Sequence, residues 1–90
     1  MTKADIVNEI AKSQGVERII VQKVIEGFMD SVESSLAQGE NVYLRGFGSF
    51  IVKKRAAKTA RNISKNTTIL IPEHNIPAFK PCKMFVNKLK

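Results

Sequence analysis

An α+β fold is predicted for this chain: an N-terminal αα-hairpin, a three-stranded antiparallel sheet with a long protruding β-ribbon arm, and a short C-terminal helix. Three observations predict it. Apolar residues recur at spacings of three and four up to Leu36, and in short β-branched and aromatic runs from Asn41 onward. Glycines sit where the first pattern stops and the second turns, at Gly15, Gly39, Gly46 and Gly48. Charge divides at the same place. Residues 1–40 hold four Lys/Arg against seven Asp/Glu, a net of −3, whereas residues 41–90 hold eleven Lys/Arg against the single Glu73, a net of +10. Ninety residues make one domain. It divides into a helical base (residues 1–40), a sheet with its arm (41–80) and a C-terminal helix (81–90).

Each element has a local cause. Thr2 caps the first helix, with Asp5 three residues on as an imperfect capping box, and Ile6, Val7, Ile10 and Ala11 form its apolar side. Gly15 ends it. A longer helix carries Val21, Val24, Ile25, Phe28, Met29, Val32 and Leu36 as a wide apolar stripe, and Gln38-Gly39-Glu40 closes it. Asn41-Val42-Tyr43-Leu44 is a short strand and Arg45-Gly46-Phe47-Gly48 a glycine turn. One long strand then runs from Ser49 to Ala60, with Phe50 and Val52 on one face. Arg61 to Asn66 is a polar tip, and Thr67 to Ile71 the return strand. Phe79 brings the chain back to the core, and Pro81 suits the first turn of the last helix, whose apolar side is Met84, Phe85 and Leu89.

A strand from Ser49 to Ala60 would be about 40 Å long at roughly 3.3 Å per residue. A compact domain of this size has a radius of gyration of only about 12 Å. The distal ribbon must therefore project, and with no core to bury it is expected to be ordered by a partner. Its cations Lys53, Arg55, Lys58 and Arg61 appear with the small residues Ala56, Ala57 and Ala60 between them, and residues 41–72 contain no acid at all. That pattern points to a polyanion, and a ribbon of this kind to nucleic acid. Ile63, apolar at a polar tip, reads either as an incidental surface residue or as a wedge between base pairs. Phe28, Phe47, Phe50 and Phe79 read as packing residues rather than as stacking platforms for bases.

Other classes lose ground. The single cysteine, Cys82, excludes an intramolecular disulfide, and no His/Cys/Asp/Glu cluster spaced for a metal is present. His74 is alone. The acids lie scattered in the helical half, so the clustered carboxylates of a metal-dependent nuclease are missing. No cofactor, small-molecule substrate or enzymatic activity is expected. No apolar run is long enough for a membrane span, and no signal-peptide core opens the chain, so a cytosolic protein is expected.

Three stretches carry a resemblance: Arg45-Gly46-Phe47-Gly48-Ser49-Phe50, the arm segment Arg55-Ala56-Ala57-Lys58-Thr59-Ala60-Arg61-Asn62, and Phe79-Lys80-Pro81-Cys82-Lys83. In this order the chain resembles, over essentially its whole length, the bacterial HU and integration host factor family of DNA-bending proteins. The resemblance implies an intertwined dimer whose two arms enter the minor groove of duplex DNA, a mechanism for which this family is itself a standard example. Carried over by position, arm contacts fall to Lys53, Arg55, Lys58, Arg61, Asn62 and Lys65, with Ile63 as the intercalating wedge. Body contacts fall to Lys3, Lys80 and Lys83, with backbone and hydroxyl contacts at Gly46 and Ser49. The dimer core falls to Phe28, Phe47, Phe50 and Phe79. Four positions depart from the family pattern: Ile63 stands where proline is usual, and Ala60, Asn66 and Cys82 where glycine is usual. The resulting expectation is a homodimeric, histone-like protein of the bacterial nucleoid that binds duplex DNA with little sequence preference and bends it. The alternatives are an RNA-binding or ribosome-associated basic protein, and one subunit of a heterodimer like integration host factor.

Overall fold

The computed structural model describes residues 1–62 and 67–90. They form two compact units, Met1–Ser35 and Leu36–Lys90. The first unit is the helical hairpin of α1 (Lys3–Gln14) and most of α2 (Arg18–Ala37). The expected cap of α1 is a complete capping box: the Thr2 hydroxyl accepts from the Asp5 amide at 3.3 Å, and the Asp5 carboxylate accepts from the Thr2 amide at 2.9 Å. Gly15 closes the helix in the left-handed region at φ 64°, donating its amide to the Ala11 carbonyl. Only Val7 and Val21 are buried among the apolar residues of this unit, at 1% and 5% exposure. Much of the predicted stripe of α2 lies open, with Val24 at 64% and Phe28 at 42%.

The second unit holds β1 (Val42–Leu44), β2 (Gly48–Arg55), β3 (Lys58–Asn62), β4 (Thr67–Ile71), β5 (His74–Pro81) and α3 (Lys83–Lys88). A three-stranded antiparallel sheet has the order β1-β2-β5, and β3 and β4 form a second, two-stranded sheet. β1 is short, and beyond its end the Val52 amide donates to the Asn41 side-chain carbonyl at 3.0 Å. The β1–β2 turn is closed by the Phe47 amide donating to the Leu44 carbonyl at 3.0 Å, with Gly46 at φ 81°. A positive φ at the third residue of a four-residue turn is what a type II turn requires.

Three expectations need correction. The strand drawn from Ser49 to Ala60 is two strands, broken at Ala56-Ala57. The return side is broken at Pro72-Glu73, directly across. Proline has no amide to give to a ladder, so the pairing fails on both strands at once. The register survives the gap: Arg55 pairs with His74 before it and Lys58 with Ile71 after it, so no residue is gained or lost. Second, Phe79 lies within an eight-residue strand, β5, rather than on a simple return of the chain. Pro77 is tolerated there because β5 is an edge strand. Third, Pro81 is not in the first turn of a helix. It ends β5 opposite Gly48, and Cys82 is the residue before α3, with an ordinary extended φ of −76°. That backbone needs no glycine, which accounts for cysteine at this position.

Gly48 is required by space rather than by dihedral. A Cβ built on it would lie 2.6 Å from the Lys80 carbonyl oxygen and 2.7 Å from the Phe79 ring. Gly46 has open space but a left-handed backbone. Gly48→Ala should therefore lower the urea midpoint by the equivalent of about 1–3 kcal/mol through overpacking. Gly46→Ala should cost about 1–2 kcal/mol through backbone strain alone. Of the two, only Gly48→Ala should perturb the Phe79 ring resonances.

Candidate nucleic-acid interface

The β2–β5 register sorts side chains onto two faces, because successive residues of a strand point to opposite sides. One face carries Phe50 opposite Phe79 and Val52 opposite Pro77. The Phe50 and Phe79 ring centroids are 5.0 Å apart, and Phe79 lies 5.1 Å from Phe47. Phe85 of α3 completes the group, 5.4 Å from Phe47 and 6.2 Å from Phe79. These are tilted and edge-on packings of the favourable kind. The cluster is not sealed within a single chain, since Phe47 remains 43% exposed and Phe79 39%.

The opposite face is cationic. Ser49 pairs with Lys80, Ile51 with Ala78, Lys53 with Ile76 and Arg55 with His74, and Tyr43 of β1 lies across from Ser49. Opposed residues in an antiparallel pair have Cβ atoms roughly 5 Å apart, so Lys53, Arg55 and His74 gather at the arm end of this face and Lys80 with Ser49 at the other, with the Ile51–Ala78 pair between them. Lys53, Arg55 and Lys80 are all exposed. The one acid of this half, Glu73, is ion-paired to Lys54, whose register partner Asn75 belongs to the other face. Among the described residues, no carboxylate neutralises Lys53, Arg55, Lys58 or Lys80.

Beyond Ser49 the face opens into a cleft of about 550 Å³ lined by Tyr43, Arg45, Gly46, Ser49, Lys80 and Lys83, among others. It is held in shape by the Cys82 amide, which donates to the Phe47 carbonyl at 3.0 Å and ties the glycine turn to the start of α3. Cys82 also borders the cleft as a free thiol. The structure thus brings together Gly46, Ser49, Lys53, Arg55, Lys80 and Lys83, all expected from the sequence. It adds Arg45, Tyr43 and His74, which sequence reasoning did not place in the site. Arg45 and Tyr43 were visible as neighbours of the glycine turn. The membership of His74 becomes visible only once the register sets it opposite Arg55.

The remaining expected residues fall elsewhere. Lys58 begins β3, and the backbones of Arg61 and Asn62 pair with Thr68 and Thr67. Ile63 and Lys65 lie outside the described residues. Lys3 belongs to the helical unit, where its ammonium is 3.3 Å from the Glu26 carboxylate. Hydrogen bonds from Gln22 and from Lys3, together with the Lys3 charge, hold the Glu26 carboxyl below the usual range. Among the described residues there is no group of three or more His, Cys, Asp and Glu able to hold a metal ion, and no helix long and apolar enough to cross a membrane.

An aromatic-backed sheet with one acid-free cationic face, prolonged as a two-stranded ribbon, defines a ribbon-type polyanion binder. Comparison with known proteins makes the class specific. The family model described as bacterial DNA-binding protein matches residues 1–90. DNA-binding protein HU of Thermotoga maritima is 37% identical over 90 residues, covering both chains completely. DNA-binding protein HU of Thermus thermophilus is 39% identical, covering 100% of this chain and 93% of that one. Among solved structures, a co-crystal of Anabaena HU with DNA matches with a TM-score of 0.94 at 30% identity, over 99% of this chain and 97% of that one. The chain belongs to the bacterial DNA-binding protein family of HU.

The sorting of charge by face has a direct test. Lys53, Arg55 and Lys80 replaced together by alanine should elute from a heparin column at markedly lower salt than the wild type. Removing a similar number of charges at Lys54, Lys88 and Lys90 should shift elution much less. Equal shifts for the two triple variants would show that bulk charge, not the face, governs polyanion binding.

Proposed function

We propose that this chain is a histone-like architectural protein of the bacterial nucleoid. It binds double-stranded DNA from the minor groove with little sequence preference and bends it. The observation that carries this reading is the uncompensated cationic face of β2 and β5, continued by the two-stranded β3–β4 ribbon, in a chain of the HU family. A row of cations matches a row of phosphates, and affinity then comes mainly from counterion release, which is indifferent to sequence. A two-stranded ribbon with small side chains suits a narrow groove, and bending is the energetic use such proteins make of it. The Anabaena HU co-crystal with DNA supports the same partner.

The assignments follow. Lys53, Arg55, Lys58, Arg61, Asn62 and Lys65 serve the arm; Lys3, Gly46, Ser49, Lys80 and Lys83 serve the body; Ile63 is the wedge. The protein works as a homodimer. Val24, Phe28, Phe47 and Phe79 are too exposed in one chain for residues of their type, and a second copy is the economical cover for them. No cofactor, substrate or catalytic role is assigned, and the location is cytoplasmic. The RNA-binding alternative draws no support from Tyr43, the one Phe, Tyr or Trp that the described β-strands place on the cationic face, since single-stranded recognition uses rows of stacking side chains. Sedimentation equilibrium on the chain expressed alone separates a homodimer from a subunit awaiting a different partner.

Binding and bending separate experimentally. On a log–log plot, the association constant for duplex should fall linearly with salt, with a slope of about −0.9 per phosphate neutralised. Arg55→Ala should make the slope shallower and weaken all sequences alike. Ile63→Ala removes no charge and should leave the slope unchanged. It should reduce the bend of intact duplex, read by end-to-end fluorescence transfer, and affect nicked duplex less. Equal bending of intact duplex by wild type and Ile63→Ala would refute the wedge.

A further inference from the structure

We propose that His74 is a proton-gated contact for the DNA backbone, so that the root of the arm gains a phosphate ligand as pH falls through the range in which imidazole takes up a proton. The inference rests on the duplex-binding reading above and adds to it a residue and a regulation.

Four observations place His74 in that role. It is exposed, and it opens β5 directly opposite Arg55. By strand parity it shares the face of Lys53, Arg55, Lys80 and Ser49, at the point where the sheet gives way to the arm. β5 is an edge strand, so β2 is the one element paired with it in this sheet, and the charged groups that β2 presents on this face are Lys53 and Arg55. The adjacent acid, Glu73, is engaged by Lys54.

The ring's orientation supplies the gate. Nδ1 lies 3.0 Å from the Pro72 carbonyl oxygen. A carbonyl oxygen only accepts, so Nδ1 carries the hydrogen and the neutral ring keeps its lone pair on Nε2. Nε2 has no hydrogen-bond partner among the described residues. A lone pair facing a phosphate oxygen is repulsive. Protonation at Nε2 turns that acceptor into a charged donor without breaking the Nδ1 bond, so the ring need not turn to make the contact. A phosphate oxygen on the same face would accept from Nε2–H and favour the imidazolium. The complex then holds the proton more tightly than the free protein, and linkage requires affinity to rise as pH falls.

The chain has one histidine, so its ring gives a single resolvable titration by NMR. Addition of duplex DNA should move the midpoint of that titration upward. In anisotropy titrations at fixed ionic strength, wild-type affinity for duplex should rise by about threefold to fivefold per arm from about pH 8 to about pH 6, the size of an exposed charge pair. The salt slope should steepen over the same interval. His74→Gln keeps a polar, uncharged side chain at an exposed position and should abolish the rise, its affinity staying nearly level between about pH 8 and about pH 6. A wild-type midpoint unmoved by DNA, or an unchanged pH dependence in His74→Gln, would overturn the proposal and leave duplex binding intact. Failure of the wild type to bind duplex at any pH would overturn both.

Discussion

The antiparallel register of β2 and β5 is the constraint on which the rest depends. It sets Phe50 against Phe79 on one side of the sheet and Ser49 against Lys80 and Arg55 against His74 on the other. A slip of one residue would exchange the faces, placing lysines among the phenylalanines. Register is pinned most firmly where Gly48 meets Pro81, because the close approach of the Lys80 carbonyl and the Phe79 ring leaves no room for a side chain. The same close approach sets the Phe79 ring, a member of the aromatic cluster, against Gly48, which also lines the cleft. Packing and binding are therefore two consequences of one alignment.

The alignment also explains the distribution of charge. The basic half carries one acid, and its ion pair with Lys54 lies off the face that Lys53, Arg55 and Lys80 share. Glu73 thus lowers the net charge without weakening the candidate interface. Beyond the pair, the ribbon loses its ladder at Ala56-Ala57 and Pro72-Glu73 but not its register.

Local signals were legible in the sequence and partnerships were not. The capping box at Thr2 and Asp5, the stop at Gly15 and the return strand Thr67–Ile71 are written in short stretches of residues, and the fold repeats them. The break at Ala56-Ala57 carries no local signal, because alanine neither forms nor forbids a strand there. Its cause is Pro72, distant along the chain but directly across the ribbon. Pro81 suited the first turn of a helix, yet it ends a strand, β5, that tolerates its prolines because its outer edge is unpaired. In the candidate site, the lysines and arginines announced themselves by composition. Arg45, Tyr43 and His74 entered only when the turn and the register had assigned each a place.

The central claim is that one face of the β1-β2-β5 sheet, with the ribbon beyond it, receives duplex DNA. The most direct measurement is NMR chemical-shift mapping of labelled protein titrated with duplex. The account predicts the largest changes at Ser49, Lys53, Arg55, His74 and Lys80 and along β3 and β4, with small changes at the exposed polar side of α2 around Lys23 and Asp30. Changes concentrated on α2, or spread evenly over every lysine of the chain, would contradict it.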